Sequence, residues 1–225
     1  MDDLKLQKNL DSEIFFTARK NRLLLLLFLS GIMMIFYLCN LHIVYINNTC
    51  DTYSLLQIPI IIGACAGGSL VGVTLGGLGA TLDFMYASLS TTYIDVISSP
   101  FASFENAGYR FSGNISSIFI CFLSKLLLAL VAGWIFKAFK NRGQMIWQMI
   151  LVAIAALFSI LFSHVVIYFL FNTFFVNCLP NVAYREEFRN FVNSVNWCSC
   201  LPELTANIAI DPLIVYAIKM IIKSD

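Results

Sequence analysis

Charge is what this 225-residue chain has least of: Asp, Glu, Lys and Arg make up 12% of it, against about a quarter of a soluble domain. Its 14 basic and 13 acidic residues nearly cancel, to a formal net charge of +1. No basic field exists to hold nucleic acid. A Gly-x-x-x-x-Gly-Lys loop is absent, so the chain has no Walker-type site for ATP. His-Glu-x-x-His and Gly-x-Ser-x-Gly are missing too, and no nucleophile–base pair can be placed. An enzyme is not expected. The two histidines and seven cysteines lack the spacing of a metal site, so neither a metal nor an organic cofactor is expected.

Cysteine supplies no framework. Cys39, Cys65 and Cys121 lie in apolar runs, where the thiol acts as a small hydrophobe. Cys50, Cys178, Cys198 and Cys200 fall in connecting segments. They read as ordinary thiols, with a bridge among the four as the other reading.

What is abundant is apolar surface, 59% of the residues, gathered in long runs. A helix that crosses a bilayer needs about 20 such residues. The runs are Leu23 to Ile46, Ile58 to Ser88, Asn114 to Phe136, Met145 to Phe175, and about Glu203 to Ile222. The first is too long for a signal-peptide core and no cleavage site follows it. It reads as a retained helix preceded by a cytoplasmic segment, residues 1–22. The glycine-rich second region is either one tilted helix or two spans joined at Gly67-Gly68.

Basic residues decide between these. With two spans, Lys5, Lys8, Arg19, Lys20, Arg22, Lys137, Lys140, Arg142, Lys219 and Lys223 all lie inside, and only Arg110, Arg185 and Arg189 outside. With one span the bias nearly vanishes. The expectation is an all-α polytopic membrane protein. Residues 23–225 form one domain of six helices, both termini are cytoplasmic, and the second and third helices are short. Segments 47–57, 89–113 and 176–202 are then external. Gly63 and Gly67, and Gly68, Gly72, Gly76 and Ala80, recur every fourth residue and would let helices approach closely.

Charges inside spans cost free energy and face a partner or a cavity. Asn114, Ser117, Cys121, Ser124 and Lys125 share one helix face, and Glu203, Asn207 and Asp211 form a second stripe. Asp83 lies below an aromatic tip, and His164 near the external end of its helix reads as interfacial. These polar groups occupy the outer half only, which suits a pocket open to the outside rather than a pore. Lys125 has two readings: an ion pair with Asp83 or Asp211, or contact with a ligand. The aromatic-rich segment 89–113 could cover such a pocket. Asn47-Asn48-Thr49 and Asn114-Ile115-Ser116 match the glycosylation pattern.

The stretch Gln57-Ile-Pro-Ile-Ile-Ile-Gly-Ala-Cys-Ala-Gly-Gly-Ser-Leu-Val-Gly-Val-Thr-Leu-Gly-Gly-Leu-Gly resembles the substrate-binding (S) components of energy-coupling factor (ECF) transporters. Gly113-Asn114, followed by Leu123-Ser-Lys-Leu-Leu-Leu-Ala-Leu-Val-Ala-Gly133, is similar to that family's fourth helix. The likeness is strongest over 56–136. It implies a six-helix subunit in a bacterial plasma membrane that captures a vitamin outside the cell. The subunit then docks on a transmembrane coupling (T) subunit driven by two ATPases. The polar stripes then supply Lys125, Asn114, Cys121, Asn207 and Asp211, with Asp83, as the substrate-binding candidates. A carboxylate would suit Lys125, which puts pantothenate first. Two departures stand out. The first helix offers only Ser30 and Gly31 where the family often carries Ala-xxx-Ala, and no His follows the initial Met, which disfavours nickel or cobalt. The rival reading is a structural, rod-shape-determining membrane protein without a ligand.

Overall fold

Leu23 to Leu38 is apolar without a break, and a helix is the one structure that satisfies its own backbone in such surroundings. The computed structural model describes residues 19–39, 43–46, 51–89, 95–106, 109–139, 145–176 and 182–224. Lys5, Lys8, His42, Asn47-Asn48-Thr49, Cys50, Tyr93, Lys140, Arg142 and Cys178 lie outside them. Helix α1 spans Arg19–Leu38, ending eight residues before the apolar run does. The remainder, Ile43–Ile46, is β1, paired antiparallel with β2, Asp51–Ser54, in register Ile43↔Ser54. Ile-Val-Tyr-Ile is β-branched and aromatic, which favours a strand, and an apolar run alone does not distinguish the two.

Helix α2, Gln57–Gly67, ends in a π-helical turn over Gly63–Gly67. Gly68 then reverses the chain at φ 92°, a left-handed conformation that glycine adopts without a Cβ clash. Helix α3, Ser69–Leu89, follows. Only α2 is short: its eleven residues rise about 16 Å, whereas α3 is long enough to span.

Beyond α3 lie a one-turn helix α4, Asp95–Ser98, and a second hairpin of β3, Ser103–Asn106, and β4, Tyr109–Ser112. Two hairpins therefore stand among the helices, one of them taking in Ile43–Ile46 from the end of the run read as the first helix. Helix α5 covers Ile115–Phe139. Helix α6 covers Met145–Leu170 and continues as a π turn to Phe175.

The last helix, α7, runs unbroken over Val182–Ser224 through Pro202 and Pro212. Its first twenty residues were expected to be loop because they contain no long apolar run. They fold as an amphipathic helix, burying Phe188, Val192 and Val195 at helical spacing.

Among the described residues, five helical stretches are long and apolar enough to cross a membrane: Asn21–Leu38, Ser69–Leu89, Ile115–Phe139, Ile146–Phe175 and Phe188–Ile218. The surface agrees, since Leu24, Phe28, Leu38, Phe119, Trp134, Trp147 and Phe158 are all exposed. Water would penalise that arrangement and a lipid bilayer would not. The interior is close-packed around Leu29, Met33, Ile60, Leu75, Leu128, Ala155 and Ile160.

Glycine sets the spacing of α3, α5 and α2. A Cβ at Gly76 would lie 2.9 Å from the Lys125 carbonyl oxygen, and one at Gly72 2.8 Å from the Ala64 Cα. The close approach to α5 is what brings Lys125 beside α3.

Candidate functional site

A cavity of about 190 Å³ lies where α3, α5, α6 and α7 meet. Asp83 is near the C-terminal end of α3, Cys121 and Lys125 are in the first half of α5, and His164 is in the last third of α6. All four helices contribute from the same end of the bundle. Helix α4 covers that end, placing Asp95, Ile97 and Ser98 in the lining. Ser117 ties it down by donating to the Val96 carbonyl at 2.8 Å, and the Ser88 and Ser99 hydroxyls meet at 2.7 Å.

On α7 the lining residues Val192, Val195, Asn196, Ser199 and Glu203 recur at three and four residues, one helical stripe. Glu203 is at its centre and only 5% exposed. A carboxylate buried this deeply requires several donors, and three converge on it. The Ser54 backbone N–H at the end of β2 donates to Oε1 at 3.0 Å. Gln57 Nε2 donates to Oε2 at 2.5 Å, and His164 Nε2 donates to Oε2 at 2.9 Å. Glu203 thus fastens the first hairpin and α2 onto α6 and α7.

The partners of His164 define its charge. Asn196 Nδ2 donates to the His164 carbonyl at 3.2 Å, which turns Asn196 Oδ1 toward ring Nδ1 at 2.8 Å. An amide oxygen only accepts, so Nδ1 carries hydrogen. Nε2 faces a carboxylate and carries hydrogen as well. Both ring nitrogens donate only in the imidazolium form. His164 and Glu203 are therefore an ion pair. A second pair joins the Lys125 ammonium to Asp83 Oδ2 across α3 and α5.

Among the described residues, three polar atoms of the lining are buried without a hydrogen-bond partner: Ser54 Oγ, Gln57 Oε1 and Asp83 Oδ1. Such atoms in a low-dielectric site each cost about 1–3 kcal/mol unless something fills them. The cavity thus has largely apolar walls that carry a few polar atoms without partners.

The six sequence candidates divide into two groups. Asp83, Cys121 and Lys125 line the cavity, with Cys121 donating its thiol hydrogen to the Ala80 carbonyl at 3.3 Å. Asn114 lies outside the lining and starts α5, its Oδ1 accepting from the Ser116 backbone N–H at 2.8 Å, as an N-cap does. Asn207 and Asp211 lie further along α7, 1% and 0% exposed, and outside the lining. Asn207 donates to the Glu203 carbonyl, and both Asp211 oxygens lack a hydrogen-bond partner among the described residues.

His164, Asn196, Gln57 and Ser54 were not among the candidates. His164 had one available signal, as the sole side chain in the long apolar run of α6 that can take up a positive charge. It is buried inside the bundle. No group of three or more His, Cys, Asp or Glu side chains is arranged for a metal among the described residues. The described cysteines 39, 65, 121, 198 and 200 are free thiols. No family model matches this chain, and no curated protein sequence matches it.

Proposed function

We propose that the chain is the substrate-capture subunit of an ECF-type importer, taking up a small water-soluble micronutrient from outside a bacterial cell. The observation that carries this reading is the cavity at one end of the bundle, with buried acceptors left unfilled on its walls. A packing network gains by closing such atoms; a binding site holds them for a ligand. A cavity of about 190 Å³ suits a small molecule, since one of about 150 Å³ accommodates benzene.

The bundle would cross the plasma membrane six times with both termini in the cytoplasm. Because α2 rises only about 16 Å, its crossing is completed by the chain from Ser54 to Leu56, where Leu56 is fully buried. The cavity end faces outward, and Gly67-Gly68 faces the cytoplasm. Energy comes from a transmembrane coupling subunit and two ATPases, since this chain has no nucleotide-binding loop.

A structural, cell-shape role draws support from a different observation: the two ion pairs, one buried and one half-buried, are internally matched. Mass spectrometry of small molecules released from the detergent-purified protein separates the two readings. A stoichiometric micronutrient supports capture; an empty protein that no metabolite stabilises supports the structural role.

A further inference from the structure

A groove of about 470 Å³ lies between the last turns of α5 and the first half of α6, at the end of the bundle opposite the cavity. Its sides are Ile135 and Phe139 on α5, and Trp147, Ile150, Ile154 and Phe158 on α6. The α6 residues recur at three and four positions, one helical stripe. Trp147, Ile150 and Phe158 are exposed along it, so the groove opens to the surroundings of the bundle. From Trp147 to Phe158 the stripe rises about 16 Å, half of a hydrocarbon core of about 30 Å. The groove is one leaflet long.

Phe139 and Trp147 mark its end nearest the link between the two helices, and that end is basic. Lys137 is exposed in the last turn of α5. Lys140 and Arg142 follow in the sequence of the link, and neither helix nor the link contains an acidic residue. A tryptophan ring belongs at headgroup level, and a lysine stem lies along apolar surface while its ammonium reaches the interface.

We propose that this groove binds an anionic phospholipid, with one acyl chain laid along the α6 stripe and the phosphate at Lys137. A neutral lipid would fill the apolar part equally well but gains nothing from the basic end. A partner helix would match the stripe, but neither its one-leaflet length nor its charge. One basic residue beside an anionic headgroup shifts relative affinity by about fivefold. The proposal needs only that the bundle lies in a bilayer and does not depend on the capture reading.

The three tryptophans, Trp134, Trp147 and Trp197, allow a direct test. Trp134→Phe with Trp197→Phe leaves Trp147 as the reporter in the groove. Trp147→Phe with Trp197→Phe leaves Trp134, which is exposed but outside the groove, as the control. Both full-length variants are reconstituted in phosphatidylcholine vesicles, and fluorescence quenching is titrated with brominated phosphatidylglycerol or brominated phosphatidylcholine. Half-quenching of Trp147 should need about fivefold less of the anionic lipid, while Trp134 should respond to the two equally. Lys137→Gln in the Trp147 reporter should bring the ratio close to one. A ratio of one without that substitution, the same preference at Trp134, or a preference that Lys137→Gln leaves unchanged overturns the site. Failure of either lipid to quench Trp147 would mean that a protein partner covers the groove, which also overturns it.

Discussion

Lys125 on α5 is paired with Asp83 on α3, and Asp211, the other carboxylate considered for it, lies outside the cavity that holds them. The pair exists because Gly76 brings α3 against the backbone of α5 at Lys125 itself. Fold and site are joined at that contact.

Charge balance should therefore follow Asp83. Lys125→Met strands the Asp83 carboxylate and should destabilise the protein by about 3 kcal/mol, read as a lowered melting temperature in detergent. Lys125→Met with Asp83→Asn should recover most of the loss. Recovery by Asp211→Asn instead would mean that the pairing is wrong.

Glu203 joins three segments, so its loss should be felt by all of them. Glu203→Gln leaves the His164 imidazolium without its counter-charge and should cost about 3–5 kcal/mol. Hydrogen exchange should rise in α2 and α6 as well as α7. Exchange confined to α7 would argue against the network.

Asp211 should behave in the opposite sense. It is fully buried with both oxygens unpartnered, a costly state for any polar group. Asp211→Leu removes that cost and should leave stability unchanged or raise it by about 1–3 kcal/mol. A loss of several kcal/mol in the same melting assay would reveal a partner.

Gly76 and its neighbour Gly77 make a controlled pair. A methyl at Gly76 meets the Lys125 carbonyl at 2.9 Å, while one at Gly77 meets nothing within 4 Å. Gly76→Ala should lower stability by about 1–3 kcal/mol through overpacking. Gly77→Ala should raise it by up to about 1 kcal/mol through helix propensity. Equal effects in the two melting curves would disprove the close approach.

Sidedness is tested by labelling. Leu70 is 77% exposed beside the Gly68 turn. If that turn is cytoplasmic, Leu70→Cys in a background lacking other thiols should resist an impermeant reagent added outside intact cells. Rapid labelling from outside would invert or shorten the proposed topology.

The helical, membrane-type character of the chain was legible in the sequence because hydrophobic run length is a one-dimensional property. A stretch such as Met145 to Phe175 has few alternatives once its backbone must be satisfied internally. The turn at Gly67-Gly68 was legible for a similar reason: its left-handed φ is a local demand. Boundaries that depend on neighbours were not. Ile43–Ile46 is as apolar as the helix before it, and became a strand by pairing with Asp51–Ser54. The polar half of α7 was hidden because its inner face mixes the apolar Phe188, Val192 and Val195 with the polar Asn196 and Ser199.

For the site, the sequence alone marked Asp83, Lys125 and Asp211 as charges that are costly inside a span, set Glu203 on a polar stripe and read His164 as interfacial. It could not determine who partners whom. Asp83 and Lys125 are 42 positions apart, and His164 and Glu203 are 39 apart. Helical periodicity reports only which face a residue is on, not which helix lies across from it. The packing of α3 on α5 and of α6 on α7 decided that. It drew Gln57 and Ser54 into the cavity, turned Asn114 into a helix cap, and left Asp211 buried away from both.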